Sequence, residues 1–252
     1  MPRVIFLGTA AAIPDENHEN THLAIIGDHQ TYLVDTAGNP IARLKRAGID
    51  PVLMAGIILT HFHPDHTYAL PLLLMDMWLL GRQKALDIYG LEETLSRMEK
   101  ALDAYGWTAW PGFFQVHFHS LPAEGKNLVL QTEEFTITET LVCHIVPTIG
   151  LRIESKSSGK VFAYSCDTEP CAALIDLACE ADFLVHEAAG KSKGHTSPEQ
   201  AGEVASQARA RSLYLIHYPV GDQYHPEAWI KSAQATYSGE VTLAQDFLEV
   251  EF

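Results

Sequence analysis

Residues 56–66 read GIILTHFHPDH, and this stretch decides what kind of fold the chain can adopt. Its first five residues have the apolar, β-branched character of a short buried strand. The residues that follow supply four potential metal ligands: His61, His63, Asp65 and His66. Imidazole and carboxylate are ligand types that zinc, manganese and iron accept. A solvated turn does not explain three histidines emerging from a buried strand, so the stretch predicts a metal site.

Three further residues of the same chemical types stand at or just after the ends of other apolar runs. His144 ends one predicted strand, Asp167 follows a second and His217 ends a third. Each of them alone would more often be an ordinary core or surface residue. Because several strand ends can meet at one edge of a sheet, the three residues are expected to join the first cluster. Together they predict two metal coordination shells.

The composition is that of an ordinary globular protein. Of the 252 residues, 47% are hydrophobic and 19% are charged, so disorder is not expected and residues 1–252 are predicted to form one domain. The formal net charge of −15 argues against an extended groove for a polyanion, because such grooves gain affinity from basic patches. Nucleic acid is therefore possible as a partner but not favoured.

Short strands and helices alternate along the chain without a repeat of fixed period, which predicts layered α and β elements. The apolar run Leu70–Leu80 is broken by Pro71 and Asp76, so it predicts a buried helix and no membrane span. The first residues have too short an apolar run for a signal peptide, and the four cysteines form no CxxC pair. We therefore expect a cytoplasmic protein with free thiols.

The chain resembles the metallo-β-lactamase superfamily, and within it the ribonuclease Z branch, over essentially its whole length. The resemblance implies an α/β fold, a four-layer αβ/βα sandwich with the site along one edge of its two sheets. The matching segments are FLGT at 6–9, Asp35, THFHPDH at 60–66, HIVP at 144–147 with Gly150, YSCDT at 164–168, VHEA at 185–188, HTS at 195–197 and IHY at 216–218.

The same resemblance implies a centre of two divalent ions, with zinc favoured and manganese or iron open. It assigns His61, His63 and His144 to a first ion, Asp65, His66 and His217 to a second, and Asp167 to a bridging position. Such ions share a hydroxide whose pKa falls toward about 7, which makes a nucleophile at neutral pH. Asp65 is then expected to act also as the proton acceptor.

Several other residues are expected to support this chemistry. His195 matches a histidine that ribonuclease Z-like proteins place near the substrate phosphate, where it can protonate a leaving oxygen. Glu187 and His186 match a strand end of the family and are candidates for orienting His195, although simple core packing is an equal alternative. Asp35 is either a partner that fixes a ligand imidazole or an ordinary turn aspartate.

Other histidines and one aromatic loop have less definite roles. His117 and His119 form a second HxH pair on a predicted strand, where a structural role is favoured over a metal site. His18 and His22 are left open. The aromatic loop Gly106–Phe114 is expected to pack in the core or at a dimer contact, with an apolar wall beside the metals as the alternative.

The chain departs from the ribonuclease Z pattern in ways that bear on the substrate. The segment between His144 and Asp167 predicts only a tight hairpin, where the family's transfer RNA-processing enzymes carry a long RNA-gripping arm. The glycine-rich loop after the first aspartate is replaced by TAGNP at 36–40. Pro64 replaces a glycine in the histidine stretch, and Cys166 stands where glycine is common.

These features lead to one favoured function and two alternatives. We expect a binuclear metal-dependent hydrolase that cleaves phosphodiesters smaller than transfer RNA, with Asp65 and His195 as catalytic residues. A true transfer RNA 3′ endonuclease is the first alternative. A hydrolase of lactones, carboxyl esters or aryl sulfates on the same centre is the second. A homodimer is implied by the resemblance.

Overall fold

The computed structural model describes residues 2–252, and two seven-stranded sheets dominate this part of the chain. The strands of the first sheet are β1 (Arg3–Gly8), β2 (His22–Ile26), β3 (Thr31–Val34), β4 (Gly56–Ile58), β5 (Leu86–Leu91), β6 (Val116–Leu121) and β14 (Glu249–Glu251). Their order across the sheet is β14-β1-β2-β3-β4-β5-β6. Neighbours from β14 to β3 are antiparallel, and neighbours from β3 to β6 are parallel.

The second sheet repeats this plan in the C-terminal half. Its strands are β7 (Lys126–Gln131), β8 (Phe135–Val142), β9 (Thr148–Ser155), β10 (Val161–Tyr164), β11 (Phe183–Glu187), β12 (Ser212–Ile216) and β13 (Glu240–Leu243). They lie in the order β13-β12-β11-β10-β9-β8-β7. The pairs from β7 to β10 are antiparallel and the pairs from β10 to β13 are parallel. The predicted hairpin between His144 and Asp167 is the β9–β10 pair.

Helices cover the outer face of each sheet. They are α1 (Pro40–Arg46), α2 (Pro64–Thr67), α3 (Leu70–Leu79), α4 (Glu92–Ala104), α5 (Ala172–Leu177), α6 (Pro198–Ala208) and α7 (Pro226–Gln234). One apolar cluster joins α1, α3 and α4 to the first sheet, and another joins α5 to α7 to the second. A third cluster, which includes Phe6, Phe135 and Phe162, fills the space between the sheets. The predicted four-layer αβ/βα sandwich is confirmed.

Local chemistry explains where the elements around the site begin. Ser197 caps α6 in a capping box, in which its side chain accepts from the Gln200 backbone and the Gln200 side chain accepts from the Ser197 backbone. Asn39 caps α1, which begins with proline. Among residues 2–252, we find no helix with the length and apolar character needed to cross a bilayer.

The structure differs from the sequence expectations at four places. Strand β5 was not predicted, because Asp87 and Gly90 interrupt its apolar pattern. The strand predicted to carry His144 ends at Val142, so this histidine lies in the following loop. The metal-ligand stretch continues into the short helix α2, which the sequence pattern does not indicate. The strand character of residues 240–250 indicates one terminal strand, but the structure has two, β13 and β14, which belong to different sheets.

Candidate metal centre

The loops after β4 and β8 bring three imidazoles together. His61 Nε2 lies 3.0 Å from His63 Nδ1, and His63 Nδ1 lies 3.2 Å from His144 Nε2. These nitrogens and a carboxylate oxygen of Asp167 all lie within 4.8 Å of one another. The first predicted ligand group is therefore assembled from both sheets.

A second group forms beside the first. Asp65 and His66 come from α2, and His217 follows β12 in the other sheet. One ligand atom from each of the three lies within 4.8 Å of the others. His66 Nε2 is 3.6 Å from an oxygen of Asp65. All six flanking ligands predicted from the sequence thus occupy two adjacent groups.

The Asp167 carboxylate lies between the two groups. Its Oδ2 atom is 3.3 Å from His217 Nε2 and 3.9 Å from the Nε2 atoms of both His61 and His144. Its Oδ1 atom faces His66 Nε2 at 3.5 Å. Both Asp167 Oδ1 and His66 Nε2 are buried and have no hydrogen-bond partner. A buried carboxylate oxygen and a ring nitrogen that face each other without a hydrogen-bond partner are groups that a bound cation would satisfy.

The protonation of these groups also fits a cation. Burial and the neighbouring His66 lower the pKa of His61 well below its ordinary value, and burial lowers the pKa of His144. Burial would raise the pKa of Asp167, but His217 and His66 hold it well below its usual range. His61 and His144 therefore present neutral imidazoles beside a carboxylate, a donor set that zinc-like ions take. Against the effect of burial, Asp167 and Asp35 raise the pKa of His66 well above its ordinary value, so a bound cation would displace a proton from this ring.

Asp35 fixes the orientation of the histidine stretch from below. It is fully buried, and its Oδ1 accepts the backbone N–H of Thr60 at 2.8 Å. Its Oδ2 accepts from His66 Nδ1 at 2.8 Å, which leaves Nε2 of that ring facing Asp167. The Thr60 hydroxyl donates to Asp35 and lies 3.0 Å from His61 Nδ1. Of the two roles open from the sequence, the structure supports the imidazole partner.

His144 is fixed in a similar way from the other sheet. Its Nδ1 donates to the carbonyl oxygen of Gly194 at 2.7 Å, so Nε2 is the nitrogen that faces the centre. Gly194 has φ +82°, and a Cβ atom there would lie 2.9 Å from His144 Nδ1. Glycine is therefore required at this position by conformation and by space.

Three residues at the centre have left-handed backbone conformations without being glycine. They are Asp35 (φ 62°), Cys166 (φ 52°) and His217 (φ 52°), each of which follows a strand end. Such conformations cost about 1–3 kcal/mol each and persist where surrounding contacts fix them. The value at Cys166 explains why glycine suits this position. Burial raises the pKa of the Cys166 thiol, which lies 3.6 Å from His61 Nδ1 and stays protonated.

His195 lies at the open side of the centre. Its ring centroid is 5.0 Å from that of His144 and 6.0 Å from that of His217. Its Nδ1 donates to Glu187 Oε1 at 3.0 Å, and its side chain is 24% exposed. The hydrogen bond to Glu187 raises the pKa of His195. This histidine can therefore hold a proton beside the metal-ligand groups.

Glu187 is the buried anchor of that histidine. Besides His195, it accepts the backbone N–H groups of Thr168, Ala189 and Thr196. Burial raises the pKa of Glu187 to about 7, and the hydrogen bond from His195 opposes this rise. The His186 ring makes no hydrogen bond to His195: its Nδ1 donates to the Glu187 carbonyl oxygen, and its Nε2 has no hydrogen-bond partner. The orienting role left open for the pair therefore falls to Glu187.

The remaining candidates lie outside the ligand groups. His18 packs against Tyr218 and Tyr224, with its Nδ1 2.9 Å from Asp15. Burial lowers the pKa of His22 to about 3, and its Nδ1 donates to the Asn20 carbonyl oxygen.

The aromatic loop Gly106–Phe114, expected in the core or at a dimer contact, packs against α3 but is only partly buried. Trp110 stacks on Trp78 with ring centroids 5.5 Å apart, and Phe114 is buried. The loop also borders an apolar cavity of about 250 Å³. A second cavity of about 260 Å³ shares Tyr68 with the first and reaches Phe62 in the metal-ligand stretch. An apolar surface thus extends from the centre to the loop.

The sequence of this chain is similar to a known family model and to known proteins. Residues 30–218 match the model of the β-lactamase superfamily domain. Ribonuclease Z from Pyrococcus abyssi is 28% identical over 270 residues, which cover 86% of this chain and 86% of that protein.

Two solved structures share the fold over nearly their whole length. The metallo-β-lactamase fold protein YhfI from Bacillus subtilis superposes with a TM-score of 0.85 at 22% identity, covering 100% of this chain and 99% of YhfI. The short form of human tRNase Z has a TM-score of 0.80 at 24% identity, covering 99% of this chain and 98% of that protein. At these identities the two structures establish the fold alone.

Proposed function

The chain belongs to the β-lactamase superfamily and is a metal-dependent hydrolase, and from that premise we propose that it cleaves phosphodiesters smaller than transfer RNA. The observation that carries this proposal is the position of His195, which Glu187 holds 3.0 Å from its carboxylate at the open side of the ligand groups. A proton donor beside a metal centre suits the release of an alkoxide leaving group.

We propose that the centre holds two divalent ions and that they are zinc. His61, His63 and His144 would hold one, Asp65, His66 and His217 the other, with Asp167 shared. The ions would supply an activated water and would stabilise negative charge on the phosphoryl oxygens. The nitrogen-rich donor set supports zinc, and elemental analysis of the purified protein tests both the number and the identity of the ions.

The chain's own residues then divide the proton chemistry between them. Asp65 is 16% exposed and lies at the rim of the centre, where a free carboxylate oxygen can accept a proton from water. His195 donates the proton that the departing oxygen needs. Glu187 keeps that ring oriented and, being buried, raises the basicity of the imidazole it holds.

The size of the substrate is inferred from the β9–β10 hairpin. Residues between β9 and β10 form a turn of a few residues, and no arm extends from the described chain at this point. The relatives named ribonuclease Z support the same chemistry, so the difference we propose is in substrate size.

A panel assay of the metal-loaded protein tests the proposal. The panel is bis(p-nitrophenyl) phosphate, a precursor transfer RNA, a lactone and an aryl sulfate. We expect turnover of the phosphodiester and little action on the transfer RNA. Efficient cutting of the transfer RNA at its 3′ side would establish the endonuclease alternative. Turnover of the lactone or the sulfate alone would overturn phosphodiester cleavage.

We further propose that the protein is a homodimer, as the resemblance to the ribonuclease Z branch implies. Sedimentation equilibrium of the metal-loaded protein tests this, and a single species at the mass of one chain would contradict it.

A further inference from the structure

The parallel strands β5 and β6 carry a polar cluster that lies outside the candidate metal centre. Their register pairs Asp87 with His117 and Tyr89 with His119. Successive residues of a strand point to opposite faces, so these four side chains share one face of the sheet. β6 is the edge strand of the first sheet, and the side chains of Asp87, His117 and His119 are between 38% and 52% exposed.

The side chains of this cluster converge on one carboxylate oxygen. His117 Nδ1 lies 3.3 Å from Asp87 Oδ1, and His119 Nε2 lies 2.8 Å from the same oxygen. One ligand atom from each of the three residues lies within 4.8 Å of the other two. His117 Nδ1 and His119 Nε2 therefore face a common space beside Asp87, from rings that are perpendicular with centroids 6.5 Å apart.

One of the two imidazoles is held in place. The ring of Tyr89 stacks on His119 with centroids 4.7 Å apart and an angle of 17° between the planes. Tyr89 in turn packs against the apolar core between the sheets. This packing fixes His119 before any ligand arrives, which reduces the entropy that binding would cost.

We propose that Asp87, His117 and His119 form a further binding site for one divalent transition-metal ion of the zinc class. Two imidazoles and one carboxylate are a set that such ions accept, and water can complete the coordination at this exposed edge. Each imidazole would bind in its neutral form, through the nitrogen that faces Asp87 and with its one proton on the other ring nitrogen. The bound ion would cross-link β5 to the edge strand β6.

The site is separate from the candidate centre. Asp87 pairs with Gly56 at the start of β4, whereas the ligand stretch follows the other end of that strand. The inference therefore does not depend on the proposed hydrolysis. It goes beyond the structural role that the sequence alone favoured for the second HxH pair, because the sequence did not show Asp87 beside it.

Equilibrium dialysis of the full chain against zinc over a range of free concentrations tests the proposal. The variants are H117Q/H119Q, which removes both imidazoles, and H29Q, which removes an exposed histidine at the β2–β3 turn. We expect the double variant to bind one zinc ion fewer per chain than wild type at saturation, and H29Q to match wild type. The difference in bound zinc between wild type and the double variant measures the site at Asp87, His117 and His119 alone, whatever number of ions the candidate metal centre holds.

A thermal measurement gives a second readout. Zinc should raise the Tm of wild type and H29Q more than that of H117Q/H119Q, because an ion bound only in the folded state stabilises it. Far-UV circular dichroism checks that the double variant keeps its fold, as substitutions at exposed positions should allow. Equal zinc content and equal Tm shifts in all three proteins would overturn the site.

Discussion

Replacing Asp35 by asparagine should weaken metal binding and destabilise the fold together. The carboxylate accepts on both sides: Oδ1 takes the Thr60 backbone N–H at 2.8 Å and Oδ2 takes His66 Nδ1 at 2.8 Å. An asparagine side chain has a single acceptor oxygen, so its NH₂ group must face one of these donors. Because Asp35 is fully buried, water cannot replace the lost acceptor.

The size of the effect follows from these contacts. One buried donor left without an acceptor costs about 1–3 kcal/mol of unfolding free energy. For a chain of this length that corresponds to a fall in Tm of about 2–12 °C. A partner of a ligand imidazole is also worth about 10–100-fold in metal affinity, because it fixes the ring and its tautomer.

Two measurements separate these effects in the D35N variant. Urea unfolding of metal-free protein gives the loss of stability, and competition with a chelator gives the metal dissociation constant. D50N is the matched control, because Asp50 is exposed and caps a short turn that asparagine caps equally well. If D35N binds metal within twofold of wild type, the orienting role of Asp35 is refuted.

Three further predictions test other parts of the molecule. H195A should lower kcat on bis(p-nitrophenyl) phosphate by about 10²–10⁴-fold with unchanged metal content; loss of an ion by elemental analysis would instead make His195 a ligand. The Tm of metal-free protein, prepared with a chelator, should be about 5–10 °C lower than the Tm measured at a free metal concentration 100 times the dissociation constant. Scanning calorimetry measures this difference, and adding zinc back to the metal-free protein should restore the higher Tm. Burial raises the pKa of the Glu139 carboxyl group, whose Oε2 has no hydrogen-bond partner. The contribution of this group to the free energy of unfolding therefore falls as the pH rises above the ordinary value of about 4.5. The free energy of unfolding of E139Q should therefore increase relative to that of wild type as the pH rises. Urea unfolding of both proteins at several pH values measures this difference, and a difference that does not change with pH would contradict the prediction.

The metal-ligand stretch could be predicted because its chemistry is local. His61, His63, Asp65 and His66 are adjacent in sequence, and an apolar strand before them fixes where they emerge. His144, Asp167 and His217 needed only the further idea that strand ends converge at one edge. These predictions concern residue types and strand ends, which a sequence displays directly.

The roles that the sequence left open depend on contacts between distant residues. Asp35 could be assigned only once its oxygen was seen against His66, and Glu187 only once it lay against His195. Strand β5 was missed because its polar and glycine positions hide the alternation, and with it the Asp87 side chain beside His117 was missed. Long-range pairing sets these contacts, and a local pattern does not display it.

The candidate centre draws its ligands from both halves of the sandwich, and this has an energetic consequence. His61, His63, Asp65 and His66 follow a strand of the first sheet, whereas His144, Asp167 and His217 follow strands of the second. Only packing of the apolar core between the sheets brings the two sets together. Ions that bind both sets therefore stabilise the contact between the sheets as well as the loops. The left-handed backbone conformations at Asp35, Cys166 and His217 cost free energy, which lowers the stability of the folded chain. Binding of metal to the folded state would offset this cost.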